Sequence, residues 1–301
     1  MNKPQQPSAP ARGRVALIDV FVRGPGGGNP VPLVADAHGM SESDMQQVAA
    51  LHGHESAFVL PPSADGADLR LRFFVPRHEM EMCGHATVGA LWALRQWGRW
   101  TTRAARVETL SGIVTARWDD AAQRVWISQP PVQASALGAA QRQAVAAVLG
   151  LPGDGAGHAM TNACTSRVKT LVAMPDAAAL AALQPDFTRM AELCDAIGST
   201  GLYPYADAAT DDPAAPPATR VVHARQFPRS SGYPEDAATG IAAAALWGHL
   251  AGNARGVAPV LAVRQGETMG RPSEIVVAPR TAADGAAQGC WLSGAVQWSQ
   301  S

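Results

Sequence analysis

Three observations predict a two-lobed fold of mixed strands and helices. Strand-like stretches alternate with single helices along the chain. Two stretches resemble each other, CGHATVGALWAL at 83–94 and AATGIAAAALWGHL at 237–250, and each runs from a turn of small residues into an apolar helix. Their shared Leu-Trp pairs are separated by about half of the 301 residues, a length sufficient for two lobes that each bury a core. Chance similarity of Ala-rich helices is the alternative to duplication.

The elements of the first half follow from apolar patterning and turn residues. β-branched or alternating stretches that close at Pro or Gly predict strands at 14–22, 55–62, 69–76 and 124–131. The segment from Ser41 to Asp44 has the pattern of a capping box and predicts the start of a helix. Gly53 is suited to end that helix.

The second half begins near Val132, where PPVQASALG leads away from the last of these strands. Its patterning predicts a helix at 140–149 stopped by Gly150, strands at 168–175 and 219–227, and surface helices at 176–183 and 187–197. We therefore expect a flexible leader at 1–13, an N-terminal lobe at 14–131 and a C-terminal lobe at 132–289.

Composition and charge exclude several classes of protein. With 24 Lys and Arg against 25 Asp and Glu, and a pI near 6.7, the chain lacks the basic excess expected for binding nucleic acid or an anionic membrane surface. The longest apolar run is far shorter than the ~20 residues of a membrane span, and the N-terminus lacks the apolar core of a secretory signal. The four cysteines are widely separated, which predicts neither a zinc cluster nor a disulfide framework and favours the cytoplasm.

Six motifs occur together in one order along the chain. They are GGNPVPLV (27–34), ESAFVLPP (55–62), LRFFVPRHEMEMCGHATVGA (71–90), ETLSGIV (108–114), PEDAATGIAAAAL (234–246) and QGETMGRPSEI (265–275). In this order and spacing, the chain resembles the phenazine-biosynthesis PhzF-like isomerases over nearly its whole length. The resemblance implies an α+β, diaminopimelate epimerase-like fold, in which two pseudo-symmetric lobes each wrap a curved sheet around a central helix, with the active site between them. It also implies a homodimer and a final strand at 290–298 that joins the N-terminal lobe.

The resemblance further implies a cofactor-independent isomerase that moves a proton on a small carboxylate substrate, with neither a metal nor an organic cofactor. Glu55 matches the catalytic carboxylate of the family, and we expect it to be the general base. His85 and Asp236 match polar active-site positions and are expected to orient the substrate and assist proton transfer. In the simpler alternative, both residues only cap helices.

Substrate binding is expected at the two turns of small residues. Backbone N–H groups at the start of a helix have no acceptor within it and attract anions. The candidates are Gly84 and Ala86 at the first turn, Thr239, Gly240 and Ile241 at the second, and Asn29 of the GNP turn. An HxH pair at His52 and His54 is followed by no third ligand at a convincing spacing, so we expect no metal.

Two positions depart from the family pattern. Ile241 stands where PhzF-like proteins commonly have a serine, which leaves the substrate open. Cys83 stands where diaminopimelate epimerases and proline racemases have a catalytic cysteine, but the second thiol of those enzymes is replaced by Ala237 or Ala238. Two-thiol racemisation is therefore excluded, whereas Cys83 is either a single acid/base or a small buried residue. The alternatives to the isomerase are a one-thiol epimerase or racemase and a catalytically silent small-molecule-binding protein of the same fold.

Overall fold

The computed structural model describes residues 13–208, 219–252, 260–282 and 284–299. Along these residues the strands are β1 (Val15–Val20), β2 (Asn29–Val34), β3 (Ser56–Leu60), β4 (Leu69–Val75), β5 (His78–Met80), β6 (Ala104–Thr109), β7 (Gly112–Asp119), β8 (Arg124–Gln129), β9 (Gln133–Ala136), β10 (Met160–Cys164), β11 (Val168–Ala173), β12 (Gly201–Asp207), β13 (Thr219–Ala224), β14 (Phe227–Pro228), β15 (Val260–Gln265), β16 (Ser273–Thr281), β17 (Ala287–Ser293) and β18 (Val296–Trp298). The helices are α1 (Glu42–His52), α2 (Gly84–Gln96), α3 (Ala139–Leu149), α4 (Ala177–Ala181), α5 (Met190–Ala196) and α6 (Gly240–Gly252), with a 3-10 turn at Glu267–Met269. Apart from Gly13, the predicted leader at 1–13 lies outside the described residues.

The chain divides into two compact units. The first unit contains the described residues of Met1–Val20, Pro30–Ile127 and Ser293–Ser301, and the second contains those of Phe21–Asn29 and Ser128–Leu292. Each unit is thus assembled from more than one stretch of chain, whereas the prediction combined 14–131 with a final strand at 290–298 in the N-terminal lobe and gave the C-terminal lobe one continuous stretch, 132–289.

Strands of the first unit pair mostly with near neighbours in the sequence. β3 with β4, β4 with β5, β6 with β7 and β7 with β8 are antiparallel, while β2 with β3 and β4 with β6 are parallel. β18, which lies within the predicted final strand at 290–298, pairs antiparallel with β1 and places Val296 opposite Val20. The first unit is therefore completed by the C-terminal end of the described chain.

Helix α1 confirms the helix predicted from the capping box. The Ser41 hydroxyl accepts a hydrogen bond from the Asp44 backbone N–H, and the Asp44 side chain accepts one from the Ser41 N–H. The helix ends at Gly53, which adopts the left-handed conformation with φ of 67°. Met45 of α1 packs with Phe58 of β3 in a shared apolar cluster, so the short connection between helix and strand is anchored at both ends.

Helix α2 confirms the helix predicted at 83–94 and is the buried helix of the first unit. Ten of its 13 residues are buried, and it packs against β1 and β3. A Cβ atom at Gly89 would lie only 2.6 Å from Cγ2 of Val20 and 2.8 Å from Cδ1 of Ile18. Glycine at this position therefore permits the close approach of α2 to β1.

In the second unit, the strands combine parallel and antiparallel pairs. β9 with β10, β10 with β11, β12 with β13 and β15 with β16 are antiparallel, whereas β11 with β12 and β13 with β15 are parallel. Helix α6, predicted at 237–250, packs against β10, β11 and β16 and is fully buried from Gly240 to Leu246. The described part of each unit thus contains one buried apolar helix packed on its strands.

The remaining helices of the second unit also agree with the prediction. α3 ends at Gly150 in the left-handed conformation, and α4 and α5 lie within the segments predicted at 176–183 and 187–197. α3 and α5 share an apolar cluster that includes Leu149 and Leu193. Among the helices of the described residues, none has the length and apolar character that a bilayer crossing requires.

Candidate active site

The connection between α1 and β3 positions Glu55. The residue follows the left-handed Gly53 and immediately precedes β3, whose first residue, Ser56, is opposite Phe74 of β4. The Ser56 hydroxyl donates a hydrogen bond to the backbone oxygen of His54 at 3.2 Å. Glu55 is therefore held at the end of a paired strand, and its side chain is only 13% exposed.

The start of α2 positions Cys83 and His85. Cys83 has the extended backbone of an N-cap residue, with φ of −135° and ψ of 111°, and its backbone oxygen accepts the first helical hydrogen bond from Thr87 at 3.0 Å. The Thr87 hydroxyl donates to the same oxygen at 2.7 Å. His85 lies in the first turn, and both Cys83 and His85 are only 3% exposed.

Glu55, Cys83 and His85 are brought together in the first unit. The Cys83 thiol donates to Oε2 of Glu55 at 3.0 Å and lies 3.3 Å from Nδ1 of His85. That ring nitrogen is 3.4 Å from the same carboxylate oxygen. A carboxylate, a thiol and an imidazole thus share one small volume in which a proton can pass between neighbouring atoms.

The first turn of α2 supplies backbone donors beside this cluster. Gly84, His85 and Ala86 precede Thr87, which donates the first bond of the helical ladder, so their N–H groups have no acceptor within the helix. All three residues are buried, and Gly84 and Ala86 are small. The local geometry thus suits an anion that approaches this helix end closely.

In the second unit, the carboxylate of Asp236 is a hydrogen-bond acceptor just before α6. Asn29 donates from Nδ2 to Oδ1 of Asp236 at 2.7 Å and to the Ala238 backbone oxygen at 2.9 Å. The Thr239 hydroxyl donates to Oδ2. Asp236, Asn29 and Thr239 are all less than 10% exposed. Since α6 begins at Gly240, the Asp236 carboxylate lies just before the helix and accepts hydrogen bonds from side chains at the turn that leads into it.

Gln265 and Tyr203 complete this network, and no role was expected for either from the sequence. Gln265 donates from Nε2 to the Asp236 backbone oxygen at 2.7 Å, and its Oε1 accepts from the Tyr203 hydroxyl at 3.0 Å and from the Thr239 N–H at 3.3 Å. Complete burial, and to a lesser extent the Asp236 charge, raise the pKa of Tyr203 well above its usual value. The sequence signal for Gln265 was its place in the motif at 265–275, directly before Gly266. In the structure, a Cβ at Gly266 would lie 2.7 Å from the Ala237 backbone oxygen, so glycine permits the close approach of these two segments.

Ile241 is the second residue of α6 and is 5% exposed. Its side chain is apolar, so it adds no hydroxyl to that of Thr239 at the start of the helix. The titratable group at this helix entrance is the Asp236 carboxylate, whereas Cys83 and His85 supply a thiol and an imidazole at the start of α2.

Potential metal ligands converge at a different place from the HxH pair. His54 is exposed and His52 is half-buried, and neither belongs to a cluster of three donors among the described residues. Such a cluster is instead formed by Glu55, Cys83 and His85, whose donor atoms all lie within 4.8 Å of one another. This set was not expected from the sequence, because Cys83 and His85 follow Glu55 by 28 and 30 residues and belong to the start of a different element, α2.

Comparison with known proteins identifies relatives over most of the chain. Residues 18–296 match the family described as phenazine biosynthesis-like protein. The chain is 35% identical over 275 residues to a protein of Deinococcus radiodurans named an uncharacterized isomerase, an overlap of 88% of this chain and 86% of the relative. It is 33% identical over 269 residues to the trans-2,3-dihydro-3-hydroxyanthranilate isomerase of Pseudomonas aeruginosa, covering 87% and 88% of the two chains.

Solved structures confirm the predicted fold. A PhzF-family phenazine biosynthesis protein from Bacillus anthracis has a TM-score of 0.80 at 24% identity, covering 95% of this chain and 96% of that one. The likeness extends at lower identity to a probable proline racemase. The α+β, diaminopimelate epimerase-like fold expected from the six motifs is therefore correct.

Proposed function

The chain belongs to the phenazine biosynthesis-like family, and from this premise we propose that it is an isomerase that moves a proton on a small carboxylate substrate by carboxylate acid/base catalysis. The observation that carries the proposal is the cluster of Glu55, Cys83 and His85 beside the first turn of α2. It combines a base with backbone donors for negative charge, which are the two requirements of proton transfer at carbon.

Glu55 is the proposed base. Its carboxylate takes a proton from a carbon of the substrate, and the electron pair left behind delocalises towards the substrate carboxylate as an enolate-like anion. The backbone N–H groups from Gly84 to Ala86 stabilise that anion, because they are oriented by the helix before the charge develops. Glu55 then returns the proton to a different carbon, so the substrate is isomerised without net gain or loss of atoms.

His85 and Asp236 are proposed to orient the substrate and to assist the proton transfer. His85 is adjacent to the Glu55 carboxylate at 3.4 Å, which supports a role in positioning the base. Asp236 is held by Asn29 and Thr239, so its carboxylate is fixed in direction. Thr239, Gly240 and Ile241, which open α6, are proposed to contact the substrate together with Asn29.

The relative from Pseudomonas aeruginosa suggests the first substrate to test. Its name specifies trans-2,3-dihydro-3-hydroxyanthranilate, a cyclic unsaturated carboxylic acid that also bears amino and hydroxyl groups. We therefore propose a small unsaturated carboxylic acid as substrate, with a role in phenazine biosynthesis as one specific case.

A one-thiol epimerase or racemase is the second candidate, and one contact favours it. The Cys83 thiol donates to Oε2 of Glu55 at 3.0 Å, so the carboxylate is placed to deprotonate the thiol. The thiolate would then remove a proton from carbon, and a second group would return a proton to the opposite face of the same carbon.

Deuterium incorporation from heavy water tests the proposal and separates these candidates. Candidate acids are incubated with the protein in deuterated water, and the position of carbon-bound deuterium is determined by nuclear magnetic resonance. The isomerase predicts a product with a moved double bond, and it predicts deuterium at a carbon other than the one that lost its proton wherever the protonated Glu55 carboxyl exchanges with solvent before it delivers the proton. Deuterium at the original carbon with inverted configuration supports the epimerase, while neither a moved double bond nor exchange with any candidate acid supports a silent binding protein.

The homodimer and the cytoplasmic location expected from the sequence remain proposals. Light scattering of the purified protein tests the first, since a dimer predicts about twice the 31.3 kDa mass of the chain. Fractionation of cells that produce the protein tests the second.

A further inference from the structure

Glu55, Cys83 and His85, here called the donor trio, place three kinds of metal-binding atom in one small volume. A carboxylate oxygen, a thiol sulfur and an imidazole nitrogen all lie within 4.8 Å of one another. We propose that the donor trio binds a zinc-class divalent cation and that the bound ion reversibly blocks proton transfer by Glu55. The binding stands on the geometry alone, whereas the block rests on the proposed function.

The distances within the donor trio are close to those of a metal-binding set. Tetrahedral zinc with usual bond lengths to sulfur, nitrogen and oxygen separates its ligand atoms by about 3.4–3.6 Å. The separations here are 3.0 Å from Cys83 Sγ to Glu55 Oε2, 3.3 Å from Sγ to His85 Nδ1, and 3.4 Å from Nδ1 to Oε2. Shifts of at most about 0.6 Å would therefore accommodate the ion, which is within the reach of side-chain adjustment.

The fold holds two of the three donors on one rigid element. Cys83 and His85 flank Gly84 at the start of α2, and Glu55 lies at the beginning of β3, against which α2 packs. A donor set fixed by a buried helix and a paired strand loses little conformational freedom when it takes up an ion. The site is therefore preorganised rather than assembled from mobile side chains.

Ligand chemistry specifies the class of cation. Thiolate and imidazole select zinc and similar transition-metal ions over magnesium and calcium, which prefer oxygen. The low exposure of Cys83 and His85 reduces competition from water, and a fourth coordination position is left for solvent or substrate. On binding, the Cys83 thiol proton passes to the buffer, and the thiolate and the Glu55 carboxylate neutralise the charge of the ion.

The ion would inhibit because it occupies the atoms that the reaction uses. A Glu55 oxygen coordinated to a cation is no longer free to accept a proton from carbon, and the His85 nitrogen beside it is engaged as well. The proposed reaction itself uses no metal, so the ion acts as a reversible inhibitor rather than as a cofactor.

Cobalt(II) is the probe for binding, because a cobalt–thiolate bond gives a near-ultraviolet charge-transfer band that reports directly on sulfur. The purified full chain is treated with chelator, dialysed and titrated with cobalt(II), and zinc(II) binding is measured by calorimetry. We expect one ion per chain with the charge-transfer band. Cys83→Ser should abolish the band and weaken zinc binding by more than the about 10–100-fold that loss of an outer partner costs.

Cys164→Ser is the matched control, because Cys164 is a half-buried thiol of the second unit. The control should bind like the wild-type chain. Glu55→Gln should keep the band but weaken binding, since the sulfur remains while one oxygen donor is changed. A band that persists in Cys83→Ser, or wild-type protein that takes up no cobalt with thiolate character, overturns the proposal.

Inhibition is measured separately on the chelator-treated protein. Zinc should suppress deuterium exchange in the wild-type chain, and added chelator should restore it. If the ion binds but the metal-free protein exchanges no substrate proton, the proposed function fails while the binding site stands. If exchange is present and zinc binds without slowing it, or if zinc is required for exchange, the inhibitory role is overturned.

Discussion

Asn29 donates a hydrogen bond from Nδ2 to Oδ1 of Asp236 at 2.7 Å, although 207 positions separate the two residues in the sequence. The same amide group also reaches the backbone oxygen of Ala238 at 2.9 Å. One side chain therefore fixes both the Asp236 carboxylate and the turn that leads into α6. Within the second unit, the GNP motif and the AATG motif thus work as one structural feature.

Asn29→Ala tests this relationship. Hydrogen bonds to charged groups are worth about 1.5–3 kcal/mol, and Asp236 is buried, so we expect a loss of unfolding free energy of about that size together with a lower kcat/KM. Urea unfolding and exchange kinetics measure the two effects. Asn162→Ala is the matched control, because Asn162 also makes two side-chain hydrogen bonds, but both are with neutral groups: it donates to the Ile197 backbone oxygen and accepts from the Thr170 hydroxyl. At about 0.5–1.5 kcal/mol for each neutral bond, its loss should be smaller than that of Asn29→Ala. Equal losses in the two variants would contradict the charged character of the Asn29 contact.

Glu55→Gln should reduce deuterium exchange by about 10²–10⁴-fold, because an amide cannot accept the substrate proton. The side chain keeps its size, so the melting temperature should change little. Glu42→Gln is the control, since Glu42 is an exposed carboxylate whose partner is Arg72. Its exchange rate should equal that of the wild-type chain. Substantial exchange by Glu55→Gln would remove Glu55 from the role of base.

Cys83→Ala separates the isomerase from the one-thiol epimerase. If Glu55 is the base, exchange should persist within about tenfold, because the base remains and only its thiol partner is lost. If the thiol is the base, exchange should fall to background. Cys194→Ala, which alters a buried thiol of the second unit, is the control for the loss of a small apolar side chain.

Ile241→Ser should shift substrate preference towards acids that carry a hydroxyl or amino group. A hydroxyl at the α6 entrance adds one hydrogen bond, which is worth about 1 kcal/mol or roughly a fivefold gain in kcat/KM. Ile241→Ala is the matched control, because it leaves a similar space without the hydroxyl. The ratio of kcat/KM for trans-2,3-dihydro-3-hydroxyanthranilate between the two variants is the measurement. A ratio near one would mean that position 241 does not select the substrate.

Stability should decrease at alkaline pH because of two buried thiols. Burial raises the pKa of Cys194 to about 11 and that of Cys290 to about 12, from an ordinary value of 9.0. Above pH 9 the unfolded chain releases these protons while the folded chain keeps them. The unfolding free energy should therefore fall as pH rises from 9 towards 11, by up to about 1.4 kcal/mol per pH unit for each thiol.

Urea unfolding between pH 8 and 10.5 measures this dependence. Cys194→Ala should make the fall of unfolding free energy with pH above pH 9 less steep, by the contribution of one thiol. The double variant with Cys290→Ala should make it less steep still. The comparison of slopes is independent of the constant loss from the smaller side chains. Slopes identical to that of the wild-type chain would assign the alkaline effect to other groups, such as the buried Tyr203, whose pKa is also raised.

Some strands, such as β12, were not predicted from the sequence, and the reason is physical. β12 contains Pro204, and proline usually argues against a paired strand because it has no N–H to donate. In the structure Pro204 nevertheless lies opposite Val172 of the parallel neighbour β11. Its carbonyl oxygen accepts a hydrogen bond from the Arg225 N–H. The tertiary arrangement thus uses the acceptor that proline retains, which local propensity does not reveal.

The sequence by itself determined the features that depend on near neighbours. The capping box at Ser41, the left-handed end at Gly53 and the placement of Cys83 and His85 in one helical turn all follow from local backbone chemistry. The motif order also identified the family and the fold. These results require no knowledge of how distant segments pack.

Only the tertiary structure decided which distant side chains meet. It places the Cys83 thiol 3.0 Å from Glu55, and it surrounds Asp236 with Asn29, Thr239 and Gln265. Such contacts depend on strand register and on the close approach of helices to strands, which are set by packing over the whole unit rather than by local propensity. For that reason the residue types of the site were visible in the sequence, whereas the donor trio was not.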